Sequence, residues 1–153
     1  VGKSNPSGKL PVTFPRAVGQ IPIYHAHKNT GRPADKDNWT EMYEIPVEAW
    51  QTSLGNRSHY LDEGYTPLFP FGYGLSYTDF EYKNLKISKN KIGQKDEFIA
   101  TIEVKNSGKY DGKEVVQLYI QDLFGSVTRP VKELKGFQKI EIKAGETKVI
   151  SFT

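Results

Sequence analysis

The 153 residues include no cysteine, which excludes disulfides, thiolate catalysis and zinc–thiolate centres together and leaves the compartment open. Long apolar runs are lacking as well: no stretch approaches the roughly 18 apolar residues of a membrane span. Charge of one sign is missing too. The chain has 21 basic and 18 acidic side chains, for a net charge of +3, with lysines interleaved among Glu and Asp along the second half. A nucleic-acid footprint needs a one-signed stripe, so no nucleic-acid partner is expected. The first residues, Val1-Gly2-Lys3-Ser4-Asn5-Pro6, lack the charged-then-apolar pattern of a signal peptide. His25 and His27 form an i, i+2 pair with no third ligand at a recognisable spacing, so no metal is expected. The plain reading is that one of the two packs or hydrogen-bonds locally, with Asn29 to Pro33 forming a turn whose Arg32 pairs with a carboxylate elsewhere.

What the chain does have is the stretch from Pro67 to Phe80, where aromatic, glycine and proline residues alternate. Pro67 and Pro70 hold the residues before them in extended conformations, while Gly72 and Gly74 allow angles that a β-carbon forbids. The stretch reads as a stiff, buried connector between two domains. Upstream, Gly8 to Phe14 reads as a short edge strand with Leu10, Val12 and Phe14 on one face and Pro11 limiting its pairing. Val47 to Leu54 reads as a two-turn helix placing Val47, Trp50 and Leu54 on one face, with Pro46 before its first turn and Gly55 at its C-terminal cap. Asn38-Trp39-Thr40 and Asn56-Arg57-Ser58 are glycosylation sequons that matter only in a eukaryotic secretory host.

From residue 80 the period changes to two. Phe80 to Ile87 is one strand. Glu97 to Lys105 is a second, with Phe98, Ala100, Ile102 and Val104 on one face, and Asn106 to Gly112 supply a reversal. Glu114 to Gln121 is apolar on nearly both sides, as at the centre of a sandwich. Gly136 to Ile142, a turn over Lys143 to Glu146, and Thr147 to Phe152 read as a hairpin. About five strands result, where a fibronectin-like sandwich needs about seven. The expectation is a mainly β chain: an immunoglobulin-like β-sandwich incomplete at its C-terminus, preceded by a loop-rich tail.

Four stretches in order resemble glycoside hydrolase family 3: Pro6 to Pro15, Val18 to Pro33, Pro67 to Thr78, and Arg129 to Phe137. The Pro67 stretch is similar to the junction between the α/β sandwich domain and the fibronectin type III-like domain of its β-glucosidases. The nearest likeness is to bacterial periplasmic or secreted members, judged by His27 and Asn29-Thr30-Gly31-Arg32-Pro33. The resemblance implies an α/β sandwich end with an irregular insertion over 1–66, a rigid junction over 67–80, and a truncated fibronectin type III-like domain over 81–153.

It also implies a parent enzyme that hydrolyses terminal β-linked glucose with retention and needs no cofactor. The barrel and most of the α/β sandwich would lie outside this chain, and homodimerisation would be assisted by the C-terminal half. Both catalytic carboxylates belong to missing parts, so none is expected here. Asp62 and Glu63 are adjacent, and on an extended segment they would point to opposite faces rather than flank one bond about 5 to 5.5 Å apart. Their expected role is structural, pairing with Arg32 or Arg57. Tyr24, His27, Arg32, Trp39, Trp50, Asp62 and Glu63 are the residues that would edge an outer sugar subsite. For the two tryptophans, stacking on a pyranose competes with anchoring the loop. The alternative function is a stand-alone β-sandwich module that binds carbohydrate or protein.

Overall fold

A computed structural model describes residues 2–49 and 57–153. These fall into two compact units. One comprises residues up to 9, 74–119 and 134–153; the other comprises 10–73 and 120–133. The first unit holds the strands β1 (Phe80–Ile87), β2 (Ala100–Asn106), β3 (Gly112–Ile120), β4 (Glu133–Ile142) and β5 (Thr147–Phe152), with the ends of β3 and β4 reaching into the second division. β1, β2 and β5 form one antiparallel sheet in that order, and β3 and β4 form another.

The alternation predicted for β2 is observed. Ala100 and Val104 are buried, Ile102 packs against the core that contains Val104, and the partners of Ala100 and Ile102 on β5 are Phe152 and Ile150. Val116 and Ile142 come from the other sheet to close the core. Phe152 lies directly on Gly136 of β4, where a β-carbon would come within 2.9 Å of its ring. Val104, Val116, Ile142, Ile150 and Phe152 each contribute about 1.5–3 kcal/mol by leaving water. Along β1, Asn84 takes a φ of 55° where the register slips between Lys83 and Lys86, and its amide donates to Glu103 at 2.8 Å. This is a local bulge on the sheet edge.

The pairing differs from the sequence reading at two places. β4 and β5 do not form a hairpin. The turn between them carries the chain from one sheet to the other, so that Ile142 and Ile150 meet across the core instead of side by side. Asn106 makes this crossing possible. Fully buried at the end of β2, it donates from Nδ2 to the carbonyls of Tyr110 (2.8 Å) and Ile142 (3.0 Å). Its Oδ1 accepts from Thr78 Oγ1 (2.6 Å) and the Gly108 N–H (3.1 Å). The Asn106 backbone pairs with the turn itself, through Glu146 O and the Gly145 N–H, both at 2.9 Å. The second difference is β3, which has only β4 beside it among the described residues and therefore does not lie at the centre of a sheet.

The same unit contains a buried ion pair. Glu114 on β3 is 7% exposed and takes the Lys9 ammonium at 2.9 Å and the Tyr82 hydroxyl at 2.9 Å. Burial, reinforced by the neighbouring Glu114 charge, pushes the Tyr82 phenol well above its ordinary range and keeps it a donor. Lys9 reaches this position because its backbone runs tightly past Gly74, whose β-carbon, if present, would sit 2.3 Å from the Gly8 carbonyl. Asn5 fixes the same segment by accepting from Ser76 Oγ (2.9 Å) and the Tyr77 N–H (2.8 Å) and donating to the Asp111 carbonyl (3.1 Å).

Residues 8–14 do not make the expected continuous strand. Leu10 exchanges backbone bonds with Tyr73 and Gly72, and Phe14 with Phe69 and Leu68, as two separate clamps. Pro11 offers no donor between them, which breaks the ladder. The 67–80 stretch is also less buried than its composition suggests. Leu68, Leu75 and Tyr77 are exposed, and Phe69 and Tyr73 stack on each other at 5.0 Å. The predicted helix from Val47 to Leu54, with Trp50 and Gly55, lies largely outside the described residues. Its described start is a single turn closed by Ala49 N–H to Pro46 O at 2.9 Å.

Candidate functional site

A cleft of about 310 Å³ in the second unit brings together Arg16, Trp39, Glu41, Asp62, Glu63 and Tyr65. Its base is the tight loop Tyr60 to Gly64, closed by reciprocal backbone bonds of 3.3 and 2.9 Å between its ends. Gly64 has a φ of +75°, and a β-carbon there would stand 3.1 Å from the Trp39 ring, so glycine serves both the turn and the seat of the tryptophan. Tyr65 approaches Trp39 at 5.8 Å with its ring tilted by 57°. Because residues 60–64 turn, Asp62 and Glu63 line the same cleft, which removes the extended-segment geometry expected to separate them. Asp62 is nevertheless open to water and lacks the apolar enclosure that a general acid requires.

Behind the cleft is a polar node that sequence reasoning missed. Gln20 is 1% exposed; its Oε1 accepts from the Arg16 N–H at 2.7 Å and its carbonyl accepts from the Tyr60 hydroxyl at 3.0 Å. The Arg16 guanidinium in turn donates to the Thr66 carbonyl (3.1 Å) and hydroxyl (3.2 Å). A lone glutamine in a 3₁₀ turn, Val18–Gln20, carries no pattern that would reveal this. His59 was equally unmarked. Its ring lies between the Thr40 carbonyl (2.9 Å from Nε2) and the Arg57 carbonyl (3.1 Å from Nδ1), tying residue 40 to the loop. Asn38 turns its amide onto the Asp35 carboxylate at 2.9 and 3.0 Å.

The remaining candidates are elsewhere. Tyr24, His27 and Arg32 do not line this cleft. Tyr24 is 57% exposed, the His27 carbonyl accepts from the Val131 N–H at 2.9 Å, and the Arg32 carbonyl accepts from the Ser58 N–H at 2.8 Å. Trp50 lies outside the described residues. His25 is the histidine that packs, stacked on Phe71 at 4.5 Å. Burial first, then the Lys132 charge and His27, hold its pKa below the ordinary histidine value. The unfolded chain therefore binds this proton more readily. The associated stability is complete above about pH 6.5 and is lost as the pH falls through the lower folded value. Urea midpoints recorded from pH 7.5 to 5 are expected to fall less steeply in His25→Gln than in the wild type; equal slopes would contradict this.

Sequence profiles of two domains match the chain. The glycosyl hydrolase family 3 C-terminal domain covers residues 1–77, and a fibronectin type III-like domain covers residues 114–153. The chain belongs to glycosyl hydrolase family 3. The resemblance seen in its four motifs is thus correct. The family 3 chain is 46% identical over 151 residues to a periplasmic β-glucosidase of Salmonella typhimurium, covering 99% of this chain and 18% of that protein. It is 42% identical to a putative β-xylosidase of Formosa agariphila, covering 99% of this chain and 17% of that one. Among solved structures, a Listeria innocua β-glucosidase in complex with gluconolactone superposes with a TM-score of 0.80 at 42% identity, over 99% of this chain and 19% of that one. The chain thus spans less than a fifth of the length of these relatives. No helix among the described residues is long and apolar enough to cross a membrane.

Proposed function

We propose that this chain acts as the non-catalytic C-terminal portion of a retaining β-glucosidase that removes terminal β-linked glucose from oligosaccharides and glycosides. The observation that carries the reading is agreement over 99% of the chain with proteins named β-glucosidase. In that enzyme a carboxylate nucleophile and a second carboxyl that switches from acid to base reside in the barrel and α/β sandwich domains. The β-sandwich would be a scaffold with a role in homodimerisation, joined through the stiff 67–80 stretch to the 1–66 end of the α/β sandwich domain. Asp62, Glu63 and Trp39, gathered at one cleft, would edge an outer sugar subsite, the tryptophan offering a flat face to a pyranose and the carboxylates accepting from its hydroxyls. Tyr24, His27 and Arg32 do not line that cleft and are not part of this proposed rim. A periplasmic or secreted location goes with the reading, by analogy with the Salmonella relative.

The test pairs intact-mass measurement with hydrolysis of a chromogenic β-glucoside. The 17.3 kDa chain alone is expected to give no turnover, and the longer enzyme to hydrolyse with retention of the anomeric configuration. In the longer enzyme Trp39→Ala is expected to raise KM for an oligosaccharide while leaving kcat on an aryl glucoside within about twofold, since an outer subsite touches only the distal sugar. Turnover by the 17.3 kDa chain would sink the proposal, and Asp62→Asn and Glu63→Gln would then be the first variants to make.

A further inference from the structure

The second unit has another cleft, of about 450 Å³, formed by the loop of residues 121–131 together with Asn29. This volume lies in the range of small-molecule sites, about 300–1,000 Å³. The loop is locally built. Asp122 Oδ1 accepts from the Phe124 N–H at 3.2 Å. Gly125 passes so close that a β-carbon would come within 2.9 Å of the Val127 carbonyl and 3.2 Å of Asp122 Oδ2. At its far end, the Val131 N–H bonds to the His27 carbonyl at 2.9 Å, and Pro130 bridges Lys28, which brings Asn29 to the cleft.

Phe124 is 94% exposed. Its ring shares the cleft with the exposed side chains of Leu123 and Val127, and Asp122, Arg129, Asn29 and Gln121 border the same cleft with hydrogen-bonding groups. An aromatic face beside a carboxylate, a guanidinium and amides matches a pyranose, whose C–H face stacks on the ring while its hydroxyls both donate and accept.

We propose that this cleft is a second, non-catalytic carbohydrate-binding site that takes one unit of a β-linked glucose oligosaccharide, with Phe124 as the stacking platform and Asp122 and Arg129 holding the hydroxyls. The proposal rests on the reading that the enzyme acts on such sugars, and its test does not use hydrolysis. Amide chemical shifts of the full 153-residue chain are followed during titration with cellotriose, for the wild type, Phe124→Ala and Trp39→Ala.

Saturable shifts at 121–131 and Asn29 are expected. Phe124→Ala should weaken them by on the order of tenfold through loss of the stacking face, and Trp39→Ala should leave them unchanged. The unperturbed remainder of the Phe124→Ala spectrum would show that the variant folds. Identical titrations of wild type and Phe124→Ala would overturn the proposal. Shifts confined to the Trp39 and Glu63 region would overturn it while keeping the outer-subsite reading. Concentration-dependent self-association abolished by Phe124→Ala, without sugar-induced shifts, would replace it with contact between copies of the chain.

Discussion

Asn106→Ala is expected to destabilise the β-sandwich by about 2–4 kcal/mol, because two buried partners, Thr78 Oγ1 and Ile142 O, lose their hydrogen bond at once and each unsatisfied buried group costs about 1–3 kcal/mol. Tyr110 O, Ile142 O, the Gly108 N–H and Thr78 Oγ1 all converge on this one amide, the bonds to Thr78 and Ile142 being the buried ones. Against a total of about 5–15 kcal/mol for a domain, this is a large share of the stability. Urea denaturation followed by tryptophan-independent far-ultraviolet circular dichroism measures it. Thr78→Val provides the internal check: it removes one of the four bonds, so its effect should be small when Asn106 is already alanine and larger when it is not. A loss below about 1 kcal/mol for Asn106→Ala, within the range of ordinary surface substitutions, would mean that the crossing from β4 to β5 does not depend on this residue.

Lys9→Met is expected to cost about 3–5 kcal/mol, since it leaves the Glu114 carboxylate inside the protein with only the Tyr82 hydroxyl for company. The methionine keeps the length and apolar stem of lysine, so lost packing contributes little and the unpaired charge dominates. A second substitution separates the two causes. Glu114→Gln in the Lys9→Met background should recover much of the stability, because a neutral amide needs no counter-charge and can still accept from Tyr82. Thermal unfolding of the single and double variants decides the matter. If the double variant is no better than Lys9→Met, the loss is one of shape, and the ion pair is incidental.

Strands were legible because their signal is local. The period-two alternation of Ala100, Ile102 and Val104 and of Ile150 and Phe152 survives in the folded protein, and the limits predicted for β1 and β5 coincide with those observed. Partner choice was not legible in the same way. The residues of the β4–β5 turn suit a hairpin as well as a crossing between sheets, and the choice depends on a hydrogen-bonding group at Asn106, near in space and about 40 positions away in the chain. The candidate cleft follows the same division. Asp62, Glu63 and Trp39 stood out as chemically capable residue types, but their convergence depends on Gly64 taking a positive φ beneath the indole. Gln20 and His59 carried no mark at all, because a single polar residue acquires its role only from the backbone groups that fold around it.

By itself, then, the order of residues determined the family, through the Pro67 to Thr78 stretch and its three companions, and the β character of the second half through its alternation. Tertiary structure alone decided which sheet each strand joins, where the Lys9 charge is neutralised, and which of the polar and aromatic candidates share a cleft. The physical reason is range. Backbone conformation and side-chain alternation are set within a few residues, whereas burial, ion pairing and convergence at a site are contacts between segments as far apart as Lys9 and Glu114, whose free energy exists only once the chain has closed around them.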